Sequence, residues 1–97
     1  MAQQMQVISY KRIREFVSIH PDSEAALRAW YSTAKKASWQ NLAEVQQRYS
    51  HADLVGKYIV FNINNNKYRL IAYVVYRSQT IYVINIFTHR EYDNWKT

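Results

Sequence analysis

The chain has no cysteine, one glycine and one proline among its 97 residues. Without cysteine there is neither a disulfide framework nor a thiolate metal site. That suits a reducing compartment, and the expected location is cytoplasmic. A lone glycine, Gly56, excludes a glycine-rich cradle of the kind that nucleotide phosphates need. No stretch of roughly 18 apolar residues occurs, so no membrane-spanning helix is expected. The opening MAQQMQVISYKR does not read as a signal peptide. Negative charge is scarce too: seven Asp and Glu stand against thirteen Lys and Arg, a formal net charge of +6.

The basic excess is spread along the chain. Residues 1–50 carry seven basic and four acidic side chains and residues 51–97 carry six and three, so each half is +3. A small domain with that field attracts polyanions such as RNA, DNA or an acidic protein segment, besides gaining solubility. Nine tyrosines are the other compositional feature. Tyrosine offers a stacking face and a hydroxyl to splayed single-stranded bases. It is also a good strand residue, and most of the nine fall in β-rich segments where packing accounts for them.

A chain of this length fits one domain with one hydrophobic core, residues 1–97. Before Pro21, the residues Tyr10, Ile13, Phe16, Val17 and His20 recur at helical spacing and predict a helix over about 9–19. After it, Asp22 or Ser23 is placed to cap a second helix, with Leu27, Trp30, Tyr31 and Ala34 as its apolar stripe. Asn41 and Glu44 resemble a capping box for a third, shorter helix at 41–49. From Lys57 onward, KYIVFNI, KYRLIAYVVY and TIYVINIFT are β-rich runs separated by NNN and RSQ. They read as consecutive antiparallel strands, with MQVI near the start as a candidate fourth. The expected class is α+β: an N-terminal helical hairpin and a short helix packed on a twisted antiparallel sheet of three to four strands, closed by a short C-terminal helix.

Alternation in the middle run points Lys67, Arg69, Ile71, Tyr73 and Val75 to one face and Tyr68, Leu70, Ala72, Val74 and Tyr76 to the other. Arg69 stands out, because a guanidinium inside a strand needs a carboxylate partner or an exposed anion site. Asp53, Glu91 and Asp93 are the candidate partners; a phosphate is the alternative. After the last strand comes THREYD. Thr88 and Glu91 form a capping box there, which puts His89 in the first turn of a helix, Tyr92 at i+3 and Asp93 at i+4. A histidine is the usual proton-transfer side chain near neutrality, although one at a helix start is commonly a plain surface residue. His20, His51 and His89 have no metal-ligand spacing, and no HExxH, Cys/His cluster or GxSxG is present. No metal and no cofactor is therefore expected. The enzyme option narrows to a metal-free ribonuclease, in which the RNA's own 2′-hydroxyl is the nucleophile.

The run ADLVGKYIVFNINNNKYRLIAYVVY followed by THREYDNW resembles the HigB-type toxins of bacterial toxin–antitoxin systems, within the RelE/ParE-like superfamily. The matching elements are the VFN strand (Val60, Phe61, Asn62), Asn66 with Arg69, and the terminal TH-x-EYD; WYSTAKKASWQNLAEVQQ fits the helical half. The resemblance implies a RelE-like fold and an mRNA interferase that cuts mRNA, commonly on the translating ribosome, silenced by a HigA-type helix-turn-helix antitoxin. It makes Arg69 and His89 the leading catalytic candidates with Tyr92 as companion, and Lys57, Lys67 and Asn62 candidate RNA or phosphate ligands. Two other readings stay open: a non-catalytic inhibitor of a protein target such as gyrase, like the ParE branch, and a non-cleaving RNA-binding module.

Overall fold

Pro21 and Gly56 both mark chain reversals, the first between two helices and the second between two strands. The computed structural model describes residues 4–96. Strand β1 (Gln6–Ile8) leads into helix α1 (Tyr10–Ile19) and, after a 3-10 turn at Pro21–Ser23, helix α2 (Glu24–Lys36). Helix α3 (Leu42–Arg48) precedes strands β2 (Asp53–Val55), β3 (Tyr58–Ile63), β4 (Tyr68–Val75) and β5 (Thr80–Thr88), and helix α4 (His89–Lys96) closes the chain.

The α+β class is as expected, but the sheet is larger and mixed. It has five strands in the order β1-β5-β4-β3-β2, with β1 parallel to β5 and every other pair antiparallel. The expectation of three to four antiparallel strands missed β2, because three residues are too short for an alternation signal. MQVI does supply a strand. Its parallel pairing with β5, across more than seventy intervening positions (Gln6 opposite Thr80), leaves no local trace in the sequence. Gln79 locks this junction: its backbone carbonyl accepts the Gln6 amide at 2.8 Å, and its buried side-chain amide donates to the Trp39 carbonyl at 2.8 Å.

One face of the sheet carries the main core. Ile13 of α1 and Leu27, Trp30 and Ala34 of α2 are buried against Ile59, Phe61, Leu70, Ala72, Ile81 and Val83. Trp30 meets the Phe61 ring edge-on at 5.3 Å, and Tyr49 does so from another side at 5.4 Å. The opposite face is smaller: Val60, Ile71 and Tyr92 form a second cluster under α4, with Val55, Tyr58 and Phe87 at its border. The predicted alternation of β4 therefore holds through the strand itself.

On β5 the phase changes. Ile71 pairs with Asn85 but Ala72 pairs with Val83, so Ile84 is an extra, bulged residue. The inward series runs Ile81, Val83, Ile86, and the shift turns Phe87 toward α4 rather than into the main core. Three consecutive asparagines, Asn64, Asn65 and Asn66, adopt left-handed backbone with φ between 54° and 68° in the β3–β4 turn, a conformation asparagine tolerates better than most residues.

The helix starts differ in detail. Asn41 Oδ1 accepts the Glu44 amide at 3.0 Å, while Glu44 reaches back to the amide of Gln40 rather than Asn41. Neither Asp22 nor Ser23 caps α2, contrary to expectation. Pro21 starts a 3-10 turn, so Ser23 is already helical in its backbone, and its hydroxyl donates to the His20 carbonyl. Asp22 is instead engaged by β4: it accepts from Lys67 Nζ at 2.6 Å and from the Tyr68 hydroxyl at 2.7 Å.

Candidate active site

The α4 face of the sheet is laid out in cross-strand rows. One row aligns Asn62, Arg69 and Phe87; the next aligns Asp53, Val60, Ile71 and Asn85. Helix α4 crosses this face because its start is fixed at the end of β5. The Glu91 amide donates to Thr88 Oγ1 at 3.2 Å, and the Thr88 amide donates to Glu91 Oε1 at 2.9 Å, both arms of the expected capping box. That start delivers Tyr92, 7% exposed, onto Val60 and Ile71.

Arg69 lies over the Tyr92 ring, its guanidinium carbon 5.6 Å from the centroid. Its Nη1 donates to the carbonyls of Asn66 and Tyr68 at the β3–β4 turn. None of the proposed partners Asp53, Glu91 or Asp93 pairs with it, and among the described residues no carboxylate forms an ion pair with Arg69. A half-buried guanidinium held by carbonyls and a ring keeps N–H donors for an incoming anion.

Around Arg69 is a shallow concavity of about 440 Å³, lined by Gln46, Ser50, His51, Asp53, Asn62 and Tyr92 among others. The loop from α3 to β2 forms its far wall. The Ala52 amide donates to the Tyr49 carbonyl at 2.9 Å and Gln46 Nε2 donates to the Ala52 carbonyl at 3.0 Å, which holds Ser50 and His51 out at the rim. A neighbouring hollow shares Ser50, His51 and Asn62 and adds Arg48. Both protonatable and anion-binding groups thus face one space. By contrast, the groove between α1 and the start of α4 is lined by Arg12 but also by Glu15 and Glu91, a poorer match to a polyanion.

Of the residues singled out from sequence, Arg69, Tyr92 and Asn62 meet in this concavity; His89, Lys57 and Lys67 do not line it. His89 sits at the first position of α4, exposed, with Nδ1 3.2 Å from Asp93 Oδ2, the i+4 relation read from THREYD. It follows Phe87, the β5 partner of Arg69, by two residues. Lys67 lies in the turn, and its ammonium crosses to the helical side to pair with Asp22. That bond, with the Tyr68 hydroxyl, lowers the Asp22 pKa, and Asp22 in turn raises that of Lys67. Lys57 stands over the rings of Tyr58 and Tyr73 at 5.5 and 5.7 Å, on the Arg69 face but in a different row. His51 is the residue that sequence reasoning passed over. It was weighed only as a metal ligand, and its nearness to Arg69 depends on the β2–β3 pairing that a three-residue strand conceals. Among the described residues no group of three or more His, Cys, Asp or Glu side chains is arranged to hold a metal ion.

A sheet backed by a helical hairpin thus carries a hollow, lined by Arg69 and His51, beside a C-terminal helix. Residues 23–95 match the HigB toxin family, described as the RelE-like toxic component of a toxin–antitoxin system, and the chain belongs to it. Similar curated proteins are the mRNA interferase toxin HigB of Escherichia coli (strain K12) and the mRNA interferase HigB of Shigella flexneri, each 27% identical over 92 residues. That alignment covers 92% of this chain and 88% of each relative. The mRNA interferase HigB of Escherichia coli O6:H1 is 26% identical over 92 residues, covering 92% of this chain and 89% of the relative. As the toxic component of such a system, the chain has an antitoxin as its counterpart. Among the described residues no helix is long and apolar enough to cross a membrane.

Proposed function

We propose that this chain is an mRNA interferase, an endoribonuclease that cuts mRNA by metal-free transesterification on the translating ribosome and is neutralised by a HigA-type antitoxin in the cytoplasm. The observation that carries the reading is Arg69, a guanidinium without a carboxylate partner among the described residues, in one hollow with His51, Asn62 and Tyr92. The names of the similar proteins support the substrate class.

In the reaction, a base takes the proton of the 2′-hydroxyl, and its oxygen attacks the adjacent phosphorus. The bond to the 5′-oxygen breaks, and an acid protonates that leaving oxygen. The products are a 2′,3′-cyclic phosphate and a 5′-hydroxyl. Arg69 holds the non-bridging oxygens as charge builds on the phosphorane, with Asn62 beside it as a further hydrogen-bond donor. Proton transfer needs one group on each side of the phosphate. His51 lines the hollow, and His89, two residues after Phe87, the β5 partner of Arg69, is the second candidate, with Asp93 orienting its ring. His20, the remaining histidine, stacks on Phe16 at 4.5 Å and borders Tyr68 on the opposite face. Tyr92 supports Arg69 from below, and Lys57, on the Arg69 face, contributes positive field along the RNA's path, whereas Lys67 is neutralised by Asp22.

Mapping RNA 5′ ends after brief induction tests this. New ends inside translated codons, lost in both His51→Ala and His89→Ala variants, are expected. Growth arrest with intact transcripts and damaged DNA would instead establish the gyrase-type inhibitor.

A further inference from the structure

Beyond the Arg69 hollow, the α4 face of the sheet carries a line of aromatic rings, three of them exposed and one, Tyr58, partly buried. Tyr82 and Tyr73 are register partners on β5 and β4, with ring centroids 6.4 Å apart and nearly parallel planes. Tyr73 meets Tyr58 at 6.4 Å, and Tyr58 meets Trp95 of α4 at 5.9 Å. Tyr82, Tyr73 and Trp95 are 39%, 37% and 37% exposed, with Ile8, the register partner of Tyr82, and the bulged Ile84 exposed beside them, while Val60 and Ile71 are covered. The largest side chains left open are therefore aromatic, with one cation set against them. Lys57 stands over both Tyr58 and Tyr73. Trp95 also touches Tyr92 at 6.0 Å, the ring that carries Arg69. Through the buried Tyr92 ring the row adjoins the hollow. Tyr73 is four residues along β4 from Arg69, about 13 Å at strand spacing, a distance a few nucleotides cover.

We propose that the row Tyr82–Tyr73–Tyr58–Trp95 is a stacking track for the unpaired bases of the RNA strand flanking the phosphodiester held at Arg69, with Lys57 on its backbone. The inference rests on the ribonuclease reading above. Rings on an open sheet face meet splayed bases and not the already stacked bases of a duplex, and stacking tolerates any sequence. The Lys57 ammonium over Tyr58 and Tyr73, in a chain of net charge +6, matches a phosphate backbone.

The test uses the full chain and a single-stranded oligoribonucleotide methylated at every 2′-oxygen, which cannot be cut. Trp30 and Trp39 are buried, at 2% and 6% exposure, so Trp95 is the tryptophan that reports binding. Binding is expected to quench its emission. A Tyr73→Ser, Tyr82→Ser double variant should bind at least about 10-fold more weakly, since stacking contributes roughly 5- to 150-fold per base. Tyr73→Phe with Tyr82→Phe should bind as the parent does, because the rings remain. Tyr82→Ser alone, at the exposed end of the row, should lose about 5-fold and covers the case in which the double variant fails to fold. Undiminished RNA affinity in the serine variants overturns the inference alone while the parent still cuts mRNA; so does a loss confined to antitoxin binding, which would give the row to the antitoxin. A parent that neither binds nor cuts RNA overturns the ribonuclease reading and the inference with it.

Discussion

Replacing Arg69 by alanine separates catalysis from folding, because its links to the rest of the protein are weak and its proposed link to the phosphorane is strong. Its attachments are two backbone carbonyls at an exposed turn and one ring at 5.6 Å. Water replaces the guanidinium at the carbonyls, and a cation over a ring at a partly open site contributes about 0.5–1 kcal/mol. The loss of stability should therefore be near 1 kcal/mol, a fall of about 4–8 °C in Tm for a domain of this size. Removing one well-placed donor to a developing anion costs far more, about 10²- to 10³-fold in rate, or ~3–4 kcal/mol. The assay is the decay of a defined mRNA in a translating extract, with 5′ ends mapped, beside a thermal melt of the same preparation. Arg69→Lys should melt near wild type and recover part of the rate, since it keeps charge but not the planar fork. If Arg69→Ala cuts at the same codons within about threefold of the parent rate, Arg69 does not stabilise the phosphorane. A Tm drop large enough to leave the protein unfolded would likewise refute the view that its structural links are weak.

Two further outcomes follow from local geometry. Thr88→Ala removes the hydroxyl that accepts the Glu91 amide, which should cost about 1 kcal/mol and lower Tm by about 4–8 °C; an unchanged Tm would mean that α4 is held by Tyr92 and not by its cap. The Lys67 hydrogen bond, then that of Tyr68, lowers the Asp22 pKa below 3.8, so this contribution is complete above 3.8 and is lost as pH falls through the folded value. The Lys67 pKa is raised above 10.5 by the same bond, so its share is complete below 10.5 and is lost as pH rises through its folded value. Urea midpoints measured across the acid range should decline below about pH 4 in the parent and more shallowly in Asp22→Asn; identical slopes would rule the pair out as an acid-sensitive contact.

Legibility in the sequence followed the range of the interactions. Amphipathic spacing located α1 and α2, and the Thr88–Glu91 box located the start of α4, because each signal lies within one or two helical turns. Three β-rich runs separated by short polar turns gave β3, β4 and β5. The Ile84 bulge was not visible, since IYVINIF alternates acceptably in either phase and only the pairing with β4 selects one. Asp22 read as a cap because its chemistry suits one; that it serves Lys67 and Tyr68, more than forty residues away, is decided by the docking of the 3-10 turn on the sheet. The same limit applied to the site. Arg69 was visible as a charge inside an apolar strand, and Tyr92 by its place in the first turn of α4. His51 carries no local mark of function, and it reaches the hollow through tertiary pairing alone.

These long-range placements explain how so small a chain keeps a site at all. The helical hairpin takes up one sheet face with aliphatic and aromatic bulk, and Asp22, Lys67 and Tyr68 close a polar contact at its edge. The other face is left with a single eight-residue helix, which buries only Val60, Ile71 and its own Tyr92. Beyond the border of that small cluster, formed by Val55, Tyr58 and Phe87, Arg69 and Asn62 stay partly open on one side and Tyr73 and Tyr82 exposed on the other, with His51 at the rim of the hollow. The Ile84 bulge serves the same arrangement, because it turns Phe87 toward α4, where its ring meets Trp95 at 5.8 Å and helps to seat the helix.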